Sequence, residues 1–155
     1  MTVVARLVER PLDPAALVAE VGQPANGAVL VFVGIVRDIN DGRGVTGIDY
    51  SAYDAMARRE LDAIVREAAE RFGVRDLVVE HRLGTLEIGE ASVVIAVGHP
   101  GRAGAYEVSR WVLEEVKRRV SIWKREHYVD GTREWVDPSR GAAEGASAAA
   151  AGGAP

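Results

Sequence analysis

Between Asp54 and Gly73 the apolar residues Ala57, Leu61, Ile64, Val65, Ala68 and Phe72 keep the i, i+4, i+7, i+8 spacing of one helix face. A helix with a single apolar stripe must lay it on another layer, and most other apolar segments of this chain read as strands. Asp54 stands where a side chain can cap the first turn, and Gly73 where glycine ends a helix. A second long helix is expected from about Ala103 to Arg119, and a short one over Ala15–Val21 opens at Asp13-Pro14. Strand-like runs are Val3–Val8, IDYSAY, RDLVVEHRLG, ASVVIAVG, and the pair IWKREHYV and REWV around Asp130-Gly131. GAVLVFVGIV, Gly27–Val36, is almost wholly apolar, so it reads as a strand covered on both faces at the centre of the sheet. RDINDGRGVTG, Arg37–Gly47, has the composition of a mobile surface loop, and TLEIGE that of a turn-rich connection. Isolated long helices among apparently antiparallel strands predict an α+β fold with a mostly antiparallel sheet. From Pro138 the Ala/Gly-rich SRGAAEGASAAAAGGAP holds too little large apolar surface to fold. The expected organisation is therefore a domain over 1–137 and a disordered tail over 138–155.

Several function classes are excluded by what the chain contains. No apolar run is long enough to cross a bilayer, and MTVVARLVERPLD lacks the layout of a secretory signal, so no membrane association and a cytoplasmic location are expected. Zero cysteines removes disulfides, thiolate catalysis and Cys-based metal sites. His81, His99 and His127 are scattered without HExxH spacing, so no metal and no cofactor are expected. A net charge of −4 argues against nucleic acid as a partner. The segment VKRRVSIWKRE, with five cationic side chains in eleven positions, is therefore a local device.

Three places could carry chemistry. In GHPGRAG, glycines at i, i+3 and i+6 and Arg102 stand just before a helix, which suits either an anion on the helix N-terminus or a plain tight turn. Strand alternation puts Lys124 and Glu126 on one face, with Trp123 and Arg125 on the other. A lysine such as Lys117, beside apolar surface and other cations, can lose proton affinity and serve as acid, base or nucleophile. Equally, Lys117, Arg118 and Arg119 complement the helix dipole, and Lys124 and Arg125 read as solvated strand residues. Arg37, at a strand end beside the glycine-rich stretch, suits a binding role or a surface ion pair.

The segments FVGIVRD, YSAYDAMARREL, EHRLGTLEIGEASV, GRAGAYE and VKRRVSIWKRE, in this order and spacing, resemble the catalytic (large) subunit of molybdopterin synthase from about Leu7 to Val136. The resemblance implies an α/β hammerhead-type fold and a homodimer of large subunits, each binding a small ubiquitin-like sulfur carrier subunit. It implies conversion of cyclic pyranopterin monophosphate to molybdopterin, with two dithiolene sulfurs delivered as thiocarboxylate on the carrier's C-terminal Gly-Gly. A chain without thiols needs such a delivered donor, and an acidic chain must gather cations locally to hold an anionic tail and a phosphate.

By the same resemblance Lys117 is the catalytic lysine, as acid–base or transient covalent partner, and Lys124 assists it and binds substrate or tail. Arg37 and Arg102 hold the phosphate or pterin, and Glu126 is the acidic end of WKxE. The family reads His-Arg before the second helix, whereas here Gly101 precedes Arg102 and the histidine stands earlier as His99, which leaves a role for His99 open. Arg125 lies within the matching segment but points away from Lys124. If Arg102 and Lys117 flank one helix, fifteen residues separate them by about 22 Å, so a pocket shared between two subunits is expected. A non-catalytic module that docks the carrier is the alternative.

Overall fold

The computed structural model describes residues 1–136, and the expected tail over 138–155 lies outside the described residues. The elements run β1 (Thr2–Val8), α1 (Pro14–Val21), β2 (Ala28–Ile35), β3 (Ile39–Asn40), β4 (Arg43–Ala52) and α2 (Asp54–Phe72). They continue with β5 (Asp76–Arg82), β6 (Gly84–Glu87), β7 (Ala91–His99), α3 (Arg102–Arg119), β8 (Ile122–Tyr128) and β9 (Arg133–Val136). This is the expected α+β arrangement, antiparallel throughout the described pairings except for β1 on β5.

One sheet has the order β1-β5-β7-β2. The stripe of α2 (Ala57, Leu61, Ile64) and that of α3 (Val108, Val112, Val116) bury one face of it against Leu77, Val79 and Ile95. Leu17 and Val21 of α1 cover the other face over Val78, Val94 and Ala96. Alternation along β5 therefore turns Leu77, Val79 and His81 toward the long helices. The second sheet has the order β3-β4-β8-β9, with β6 also paired to β4. Its inner face carries Ile48, Leu86 and Tyr128, and Tyr50 packs against both cores.

Four expectations change. The apolar run Gly27–Val36 forms β2, an edge strand rather than the centre of the sheet. The eight-residue α1 is too short to cover it, so Val29 and Val31 are exposed while Leu30 and Phe32 face the long helices. The doubly covered strands are β5 and β7. Asp54 does not cap α2. It is the first helical residue, its carboxylate accepts from Arg58 Nε at 2.8 Å, and Tyr53 occupies the cap position without a side-chain bond. The glycine-rich stretch Arg37–Gly47 is a hairpin: Asp41 and Gly42 take φ of 47° and 76°, the left-handed pair of a tight β-turn, and join β3 to β4. Within TLEIGE, β6 lies along Gly47–Tyr50 of β4.

Candidate active site

Of the five cations in the basic segment, four are matched with carboxylates. Arg118 meets Glu115 at 2.6 Å, Arg119 meets Glu67 at 2.6 Å, and Arg125 meets Asp49 at 2.6 Å. Lys124 Nζ lies 3.2 Å from Glu126 Oε1. Lys117, half-buried in the last turn of α3, has no carboxylate partner among the described residues. Burial first, and then the nearby charge of Lys124, push the Lys117 ammonium below its ordinary value of 10.5. The Lys124 charge is thus close enough to act on the Lys117 ammonium. An amine held so, with no carboxylate partner among the described residues, gives up its proton more readily than an ordinary lysine.

Lys124 shares one face of β8 with Glu126 and Tyr128. Glu126 is 1% exposed, and burial alone would raise its pKa. Asn40 Nδ2 donates to both of its oxygens at 2.9 Å and Tyr128 OH donates at 2.7 Å, and together with the Lys124 charge they hold the carboxyl below its usual range. Tyr50 stands opposite Lys124 on β4, and its ring meets the edge of His81 with centroids 5.3 Å apart. His81 is buried, and its Nδ1 lies 2.9 Å from the Arg82 carbonyl. Only a protonated Nδ1 can bond that oxygen, so Nε2 is left as an uncharged acceptor. Desolvation, outweighing this hydrogen bond and reinforced by the Lys117 charge, lowers the His81 pKa to about 4.

That shift has a stability consequence. Above pH 6.5 neither folded nor unfolded chain protonates this imidazole, and its contribution is fully present. As pH falls from 6.5 toward 4, the unfolded chain binds a proton that the folded chain refuses, so about 3 kcal/mol is lost across that window. Urea unfolding of the wild type should weaken over this range more steeply than that of His81→Gln; equal slopes would contradict the assignment.

The remaining expected residues divide between this cleft and other places. Arg37 is exposed at the end of β2, and its Nη2 donates to Asn40 Oδ1 at 3.2 Å, which ties it to the Glu126 network. Arg125 lies on the opposite face of β8, with His127 Nε2 also 2.8 Å from Asp49 and Trp135 beneath the guanidinium at 5.1 Å. Arg102 is exposed at the first position of α3, and Lys117 sits in the last turn of the same helix. One cleft of one subunit cannot hold both. His99 folds back on that helix start: its Nδ1 is 2.9 Å from Gly101 O, and a Cβ on Gly104 would come 2.1 Å from its Cε1. Gly104 therefore makes the room that the His99 ring fills, while a Cβ on Gly101 would meet nothing within 4 Å.

A groove of about 390 Å³ lined by Ser51, Ala52, Tyr53, Trp123 and Trp135 opens toward the outer face of the second sheet. Its lining brings together no cation or carboxylate. Asn40, Tyr50 and His81 were missed by the sequence reading. Asp41-Gly42 is a hairpin dipeptide that could have placed Asn40 on a strand, but nothing local marks Tyr50 or His81.

Over residues 7–119 the chain matches the family described as MoaE protein. It is 43% identical over 129 residues to the molybdopterin synthase catalytic subunit of Emericella nidulans, covering 83% of this chain and 66% of that protein's length. Molybdopterin synthase from Staphylococcus aureus superposes with a TM-score of 0.79 at 32% identity, over 84% of this chain and 94% of that one. A protein-protein complex of subunits 1 and 2 of molybdopterin-converting factor from Helicobacter pylori contains a chain with a TM-score of 0.70 at 26% identity, over 85% of this chain and 89% of that one. With the family match running from β1 to the end of α3, this chain belongs to the MoaE protein family.

Proposed function

We propose that this chain is the catalytic subunit of a molybdopterin synthase, working in the cytoplasm on cyclic pyranopterin monophosphate. Each sulfur arrives as a thiocarboxylate on the C-terminal Gly-Gly of a small ubiquitin-like carrier. It leaves the carrier's terminal carbonyl carbon for a side-chain carbon of the pterin, replacing an oxygen that departs as water or as phosphate oxygen, and the carrier's acyl carbon takes an oxygen from water and departs as a carboxylate. The observation that carries this reading is Lys117: a half-buried amine with lowered proton affinity, next to Lys124 and lacking a carboxylate partner among the described residues. Such a group gives up its proton more readily than an ordinary lysine, and its neutral amine can take a proton or attack a carbonyl. Lys124 and Arg37 supply cationic donors for the carrier tail and the phosphate. The test is dithiolene formation by the purified chain with thiocarboxylated carrier and substrate. A module that only docks the carrier would bind it and release no dithiolene product.

Arg102 fits this reading in a homodimer, where the α3 start of one subunit meets the lysine cleft of the other. Mixing Arg102→Ala and Lys117→Ala subunits should then restore part of the activity in hybrid dimers. Verified hybrids without any recovery would contradict the shared site.

The pH dependence has a fixed sign. If the neutral Lys117 amine reacts, kcat rises with pH along a limb whose midpoint lies below 10.5. Removing the repelling charge in Lys124→Ala moves the Lys117 midpoint upward. Amine-labelling rates at Lys117 against pH read the same shift without substrate, and a midpoint unmoved by Lys124→Ala would contradict the coupling.

A further inference from the structure

The β3–β4 hairpin sends one side chain into contact with both ends of the proposed site. Asn40 donates from Nδ2 to Oε1 and Oε2 of Glu126 at 2.9 Å each, and accepts at Oδ1 from Arg37 Nη2 at 3.2 Å. A carboxylate can only accept and a guanidinium can only donate, so these partners fix which end of the amide is which. We propose that Asn40 is a positioning residue: it uses the buried Glu126 as an anchor and holds the Arg37 guanidinium at the mouth of the lysine cleft, ready for the substrate's phosphate. The proposal rests on the phosphate-binding role given to Arg37 above.

The chemistry favours this side chain over its neighbours in size. Aspartate at position 40 could accept from Arg37 but would set a second negative charge against Glu126. Serine ends one bond short of the amide nitrogen and oxygen and reaches neither partner as asparagine does. Leucine would leave both partners bare. Arg37 is exposed and has no carboxylate partner among the described residues, so without Asn40 nothing in the described chain limits where its long side chain points. The bond to Asn40 occupies one of the five guanidinium N–H groups and leaves the others for an anion. The Asp41-Gly42 turn beside it closes the hairpin, and Asn40 is paired with Arg43 across it.

The test is calorimetric binding of cyclic pyranopterin monophosphate to the full chain without carrier, in wild type, Arg37→Ala, Asn40→Ser and the double variant. Arg37→Ala is expected to weaken binding about tenfold, the scale of one lost charge-assisted contact. Asn40→Ser is expected to lose a comparable factor, and the double variant to bind no more weakly than Arg37→Ala alone, because the serine acts only through the arginine. In turnover, Asn40→Ser should raise KM by more than it lowers kcat. Thermal unfolding checks that the chain remains folded. If Arg37→Ala weakens binding but Asn40→Ser does not, or if the two losses multiply, the positioning role is overturned. If Arg37→Ala itself binds like wild type, the phosphate role of Arg37 fails instead. A variant that only lowers the unfolding temperature and leaves binding intact also overturns the proposal.

Discussion

Lys117→Ala should lower kcat by about a thousandfold, in the middle of the range for losing a positioned acid–base group or nucleophile. Substrate affinity should fall far less, because Lys124 and Arg37 remain. Lys117→Arg is the sharper variant. It keeps a positive charge at the end of α3, but a guanidinium does not deprotonate in a protein and cannot become the neutral amine. Its kcat should therefore stay near that of Lys117→Ala across the whole pH range, without the rising limb. Arg118→Ala, one residue along, removes only an exposed partner of Glu115 and should change turnover little. If Lys117→Arg turned over like wild type, charge alone would be sufficient and the neutral-amine role would be lost.

The largest stability effect is expected at Glu126. Replacing it with alanine takes the acceptor from Asn40 Nδ2, Tyr128 OH and Lys124 Nζ at once. Removing one partner of a buried ion pair costs about 3–5 kcal/mol. Lys124 keeps 25% of its side-chain surface in solvent, which places the expected loss near the lower end, about 3 kcal/mol. Glu126→Gln preserves the shape but turns an amide NH₂ toward at least one donor, and should lose about 2 kcal/mol. Chemical denaturation measures both. Activity should fall as well, since Lys124 and the Asn40–Arg37 pair lose their common anchor. A Glu126→Ala variant as stable as wild type would show that the carboxylate is not the hub of this network.

The long helices were legible because their stripes repeat with the helical period and their ends carry local signals, such as Gly73 with φ of 65°. The β8–β9 turn at Asp130-Gly131 was legible for the same reason. Gly27–Val36 was misplaced because an apolar run says that a strand is hydrophobic, not how many neighbours cover it. That depends on the strand order and on where the short α1 lies on the sheet, neither of which the run itself states. The β3–β4 hairpin was hidden because glycines and charges also make up loops, and β6 is only four residues long. Within the site, alternation alone puts Lys124 and Glu126 on one face of β8 and Arg125 on the other. What singles out Lys117 is the absence of a carboxylate partner among the described residues. That follows from tertiary pairings such as Arg119 with Glu67, residues far apart in the chain. The same holds for Asn40 on β3, which reaches across β4 to Glu126 on β8, 86 residues away in the chain.

The Lys117–Lys124 cleft is proposed as the place where sulfur passes from a carrier's thiocarboxylate to a phosphorylated pterin. A carrier bearing heavy-isotope sulfur in that group, incubated with this chain and cyclic pyranopterin monophosphate, tests it by mass spectrometry of the product. The account predicts both dithiolene sulfurs heavy with the wild-type chain, and no labelled product with Lys117→Ala although the carrier still binds. Labelled carrier bound to the wild-type chain but recovered unchanged, with no heavy sulfur in any pterin, would contradict it.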